Sequence, residues 1–122
     1  MNKSIFIGRM ATDPKVMSSA GKKTVAYFRI AVERNFKQEG APNADYFSCV
    51  TFGERAEFVA KYFYKGKKIA LEGEMHNDNY TGNSGEKVYG MRLLVNDIEF
   101  VDSKDESENV SQNGRTNRNS SQ

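Results

Sequence analysis

The stretch ERAEFVAKYFYKG (54–66) decides how the rest of this 122-residue chain is read, because its apolar residues follow a period of their own. Ala56, Val59, Ala60 and Phe63 fall at i, i+3, i+4 and i+7, the apolar stripe of an amphipathic helix. Glu54 and Glu57 occupy its first turn, and Lys65, Lys67 and Lys68 cluster at its end, the charge order that a helix dipole favours. Gly66 stands where a C′ residue closes a helix. The spacing predicts one helix over 54–66.

Outward from it, the pattern is that of strands. SIFIGRM (4–10) is short, β-branched and aromatic, with turn residues ATDPK behind it. TVAYFRIAVER (24–34) alternates: Ala26, Phe28, Ile30 and Val32 share one face, and Tyr27, Arg29, Ala31 and Glu33 the other. DYFSCVTF (45–52) is a third strand. KIALEGEM (68–75) sets Ile69, Leu71 and Met75 opposite Lys68, Glu72 and Glu74. EKVYGMRLLVNDIEFV (86–101) is a long strand with a break near Asn96-Asp97. The connections MSSAGKK, NFKQEGAPNA and NDNYTGNSG are rich in Gly, Asn and Ser. The order β-β-β-α-β-β, with the helix between strands three and four, predicts an all-β domain with one helix: an OB-fold, a five-stranded Greek-key barrel.

Composition bounds the function. Residues 1–101 hold 15 Lys+Arg and 12 Asp+Glu, whereas 102–122 hold 3 and 4 and a single apolar residue, Val110. The expected domain is therefore 1–101, followed by a disordered polar tail, 102–122, unable to bury enough surface to offset its ordering entropy. A net charge of +2 lends no overall basic character. No apolar run is long enough to span a membrane, and no secretory signal is read at the N-terminus. The single cysteine, Cys49, allows no internal disulfide and fits a reducing cytoplasm.

Fourteen aromatic residues exceed what the core of a small barrel requires. Phe28, Phe63 and Phe100 lie on apolar faces and are expected in the core. Phe36 begins a polar loop. Tyr46 and Phe52 share a strand face with Ser48 and Val50, and periodicity alone leaves them open between core and surface. Tyr80 stands among small and polar residues in NDNYTGNSG (77–85), with no neighbour to draw it into a core. Exposed rings of this kind can stack on bases with little sequence preference, and neighbouring cations can meet phosphates. Lys3, Arg9, Arg29, Arg34, Lys37, Lys65 and Lys87 are the candidate cations.

Catalytic patterns are sparse. His76 is the sole histidine, no Ser/His/Asp or Cys/His set is arranged for nucleophilic work, and Asp78 beside His76 does not make a zinc site. GRMATDPK lacks the Gly-Lys-Ser/Thr element of a phosphate-binding loop. Glu72 and Glu74, two apart on a strand, form a solvated face rather than a catalytic pair. No enzyme, cofactor or metal is expected. An OB-fold nuclease, or an OB-fold module for RNA or protein, stays open as an alternative.

The chain resembles the bacterial and phage single-stranded DNA-binding proteins. The likeness runs through MNKSIFIGRMATDPK, GKKTVAYFRIAVERNFK, ADYFSCVTFGERAEFVAKYFYKG and IALEGEMHNDNYTGNSGEKVY, in that order over 1–101. It implies an OB-fold, homotetramers and sequence-tolerant binding and protection of single-stranded DNA during replication, recombination or repair. It places base stacking on Phe36, Tyr46, Phe52 and Tyr80, and phosphate contacts on Lys3 and Lys65. The sequence departs from the family pattern in three ways. It has no Trp, which implies weaker stacking per base. Where a basic triplet is common it has His76-Asn77-Asp78, which implies a shallower salt dependence. Its tail ends RTNRNSSQ, without an acidic tip, so partners that dock on such a tip are not expected.

Overall fold

The computed structural model describes residues 1–18, 20–36 and 38–101. Lys37 and the tail expected to be disordered, 102–122, lie outside the described residues. The strands are β1 (Ser4–Met10), β2 (Lys15–Met17), β3 (Val25–Glu33), β4 (Ala44–Phe52), β5 (Lys68–Asn77), β6 (Tyr80–Thr81), β7 (Lys87–Val88) and β8 (Met91–Phe100), with the helix α1 (Glu54–Tyr62) between β4 and β5.

The main sheet runs β1-β5-β8-β4-β3-β2, and β1 also pairs with β3. That pairing closes β1, β5, β8, β4 and β3 into a five-stranded barrel, with the short β2 on the outer edge of β3. The contact of β4 with β8 is parallel; every other pairing is antiparallel. Closure demands close approach between strands. A Cβ on Gly8 would lie 2.3 Å from the Ala31 carbonyl oxygen, and one on Gly73 would lie 2.1 Å from that of Leu94. Only glycine fits at either crossing.

The alternation read from β3 is realised. Ala26, Phe28 and Ile30 are buried, and they join Met10, Cys49, Val59, Phe63, Ile69, Leu71, Leu93 and Val95 inside the barrel. Among the described residues Thr51 is the buried polar one, and its hydroxyl donates to the Val95 carbonyl at 3.1 Å. The break near Asn96 is a β-bulge: Glu72 faces Asp97, but the next residue, Gly73, faces Val95. The extra residue switches the alternation, so Leu93 and Val95 point inward before it and Ile98 after it. Arg55 Nε donates to the Asn96 carbonyl at 2.6 Å.

Several expectations need correction. The helix ends at Tyr62, and Phe63 turns extended (φ −119°, ψ 144°) while donating its N–H to Val59 at 3.0 Å. This places its ring in the core. Gly66 is therefore not the helix cap. It lies in the following turn and donates to Met10 at 2.8 Å, and Lys61 is the base in the last helical turn. Phe100 is not core: half of it is exposed, although its ring stacks on Phe63 with centroids 5.1 Å apart. β2 was not expected, since three exposed residues carry no periodicity. The long strand read over 86–101 is also cut at Tyr89-Gly90, separating β7 from β8.

Candidate nucleic-acid interface

The outer face of β3, β4 and β8 collects aromatic and cationic side chains in cross-strand rows. Paired residues of neighbouring strands project to the same side of a sheet. Met17, Val25 and Phe52 form one row, and Lys15, Tyr27, Val50 and Leu94 the next. Arg29, Ser48, Arg92 and His76 follow, and then Arg9, Ala31 and Tyr46. Alternation along β4 thus turns Cys49 and Thr51 into the core and leaves Tyr46 57 % and Phe52 41 % exposed. Both residues that periodicity left open are surface rings. The Arg29 guanidinium lies 5.5 Å from the Tyr46 ring centroid, and that of Arg92 lies 5.3 Å from Tyr27. These are cation–π distances, which orient each fork over a ring.

Two arms flank this face. Phe36, 76 % exposed, stands in the connection from β3 to β4. Arg34 braces the neck of that loop with a bidentate pair to Asp45, Nε to Oδ2 at 3.0 Å and Nη2 to Oδ1 at 2.8 Å, and its N–H donates to Asn43. The Arg34 hydrogen bond holds the Asp45 carboxyl below the usual carboxylate range, and the same bond raises Arg34. Tyr80, 61 % exposed, belongs to the hairpin of β6 and β7, where it faces Val88. At the base of that hairpin Asp78 donates its N–H to Gly90, and the Gly90 N–H returns to Asn79 Oδ1. At the tip, Ser84 donates to the Glu86 carboxylate and so holds it below its usual range.

The candidate cations do not form one set. Arg29 lies on the ring-bearing face. Arg34 is engaged by Asp45, and Lys87 sits on the Tyr80 arm. Lys3 precedes β1 and pairs with Glu72 at 3.5 Å. Arg9 donates to the Gly66 carbonyl at 2.9 Å. Lys65 follows α1, its N–H bonded to Asp13 Oδ1. Two residues of the face were missed. Tyr27 shares the polar face of β3 with Arg29, and that alternation could have found it. Arg92 is the lone charge in the run MRLLV, and an even spacing from Leu94 is its only signal.

Burial pushes the Cys49 thiol up to about 12, so it stays protonated. His76 Nε2 lies 3.1 Å from Glu74 Oε1. Among the described residues no group of His, Cys, Asp and Glu could hold a metal, and no helix is long and apolar enough to cross a membrane.

Residues 1–101 match the model of the single-strand binding protein family. The chain is 38 % identical over 104 residues to a single-stranded DNA-binding protein of Clostridium perfringens, covering 84 % of this chain and 67 % of that one. It is 34 % identical over 105 residues to single-stranded DNA-binding protein 3 of Listeria innocua, covering 85 % and 66 %. A Lactiplantibacillus plantarum single-stranded DNA-binding protein is 35 % identical over 109 residues, covering 88 % and 54 %. The match thus spans about two thirds of the first two relatives and about half of the third.

Proposed function

This chain belongs to the single-strand binding protein family, and on that premise we propose that it binds and protects single-stranded DNA without sequence preference. The observation that carries the reading is the face of β3, β4 and β8, where Tyr27, Tyr46 and Phe52 lie exposed or half-buried beside Arg29 and Arg92. Bases stack on the rings, each contact contributing about 1–3 kcal/mol, and the guanidinium groups meet phosphates. Phe36 and Tyr80, on their two arms, stack from the sides. Lys3, Arg9, Arg34, Lys37, Lys65 and Lys87 remain proposed phosphate contacts, with Lys3, Arg9 and Arg34 first having to leave their present partners. The role is non-catalytic and cytoplasmic, in replication, recombination or repair.

Self-association belongs to the same proposal. Among the described residues β1 pairs with β3 at Arg9 and Met10, and Ser4–Ile7 have no strand partner on that edge. Ile5 and Ile7 are exposed on that stretch. An open edge carrying apolar side chains is a surface for a second copy, and the homotetramer implied by family resemblance would use it. Light scattering should give a mass of four chains.

Competition at fixed salt tests the binding. Poly(dT) should displace a labelled single strand, and duplex of equal length should not. Displacement by poly(U) alone would favour an RNA module, and cleavage of the strand with magnesium would favour a nuclease.

A further inference from the structure

Arg92 stands where two open hollows of the ring-bearing face meet. Tyr27, Arg29 and Ser48 border one, Phe52 and Asp78 border the other, and Arg92 borders both; each holds about 330 Å3. Its guanidinium carbon lies 5.3 Å from the Tyr27 ring centroid, and its Nη2 lies 2.8 Å from Asp78 Oδ2. Asp78 lies just beyond β5, at the base of the arm that carries Tyr80, and is tied there by its own N–H to Gly90. A carboxylate and a phosphate offer a guanidinium fork the same pair of anionic oxygens.

We propose that Arg92 is a phosphate-binding residue of this face, and that Asp78 occupies it in the free protein as an internal stand-in that a DNA phosphate displaces. This rests on the reading that the face binds single-stranded DNA. The pair suits exchange. The two side chains are 36 % and 42 % exposed, so water and salt weaken their attraction. The ion pair shows one close contact, Nη2 to Oδ2, rather than the two-point contact that Arg34 makes with Asp45. Displacement leaves the Asp78–Gly90 backbone bond in place but removes the side-chain tie between arm and sheet. Asp78 therefore lowers affinity by competing with the phosphate for Arg92.

Fluorescence anisotropy with a labelled oligo(dT) strand tests this in wild type, Asp78→Asn, Arg92→Gln and the double variant, with thermal melts to verify folding. Asp78→Asn should tighten binding about two- to five-fold, the scale of an exposed ion pair. Arg92→Gln should weaken it and make the plot of log affinity against log salt shallower by about 0.7, one phosphate on a single strand. In the Arg92→Gln background the Asp78→Asn gain should vanish. Arg92→Lys, which keeps the charge, should recover part of the loss and serves if Arg92→Gln melts early. Weaker or unchanged binding by Asp78→Asn would overturn the inference and leave the pair a brace. A gain that persists without Arg92 would also overturn it, as a general charge effect. Wild-type protein that fails to bind oligo(dT) even at low salt would instead overturn the functional reading beneath it.

Discussion

Replacing Tyr46 by alanine should weaken binding to oligo(dT) while leaving the fold intact. The ring is 57 % exposed and projects from the outer face of β4, so its loss opens no cavity in the core. What disappears is one stacking surface, about 1–3 kcal/mol, and the ring beneath Arg29, whose guanidinium lies 5.5 Å from its centroid. At 1.4 kcal/mol per factor of ten, the dissociation constant should rise about 5- to 150-fold. Tyr46→Phe keeps both the stacking face and the cation–π partner, and should stay within about two-fold of wild type. Anisotropy titrations at one salt concentration, with circular dichroism melts for each variant, measure both quantities. Two results would refute the reasoning: unchanged affinity in a folded Tyr46→Ala protein, or a loss in Tyr46→Phe as large as that in Tyr46→Ala.

Tyr80→Ala should lose about 1–3 kcal/mol of oligo(dT) affinity in the same titration, with no change in melting temperature, because the ring stands on a hairpin outside the core. Gly73→Ala should destabilise the barrel by about 1–3 kcal/mol or more, since its Cβ would meet the Leu94 carbonyl oxygen at 2.1 Å, and urea denaturation would measure the loss. For the Arg34–Asp45 pair, the folded-state pKa of Asp45 is depressed by the Arg34 hydrogen bond. Its contribution is therefore present above the ordinary aspartate pKa and is lost as pH falls through the lowered value. The difference in melting temperature between wild type and Asp45→Asn should accordingly be seen near neutrality and shrink on acidification below the usual carboxylate range.

The barrel was legible because its signals are local and repeated. The two-residue period of β3 and the i, i+3, i+4, i+7 stripe of α1 each follow from one buried face, and the order of strands and helix then leaves few topologies. What the sequence hid depends on contacts between distant segments. Phe63 leaves the helix to fill the barrel, where it meets Phe58 and Phe100. β2 exists because the edge of β3 accepts it. The rings of the face were half legible. Tyr46 and Phe52 share a face by even spacing, but only the register with β3 and β8 turns that face outward and brings Tyr27, Arg29 and Arg92 beside it. The cations were least legible, because a lysine or arginine in sequence does not announce its partner: Lys3 meets Glu72, Arg9 a backbone carbonyl and Arg34 Asp45.

The most direct test of the central claim is the affinity of the whole chain for a labelled single strand, measured across salt concentrations beside a duplex of the same length. Counterion release predicts that log affinity falls linearly with log salt, with a slope of about −0.7 for each phosphate neutralised. Stacking on Tyr27, Tyr46 and Phe52 predicts that the single strand binds tighter than the duplex at every salt concentration. Affinity independent of salt, or tighter binding to the duplex, would contradict the account.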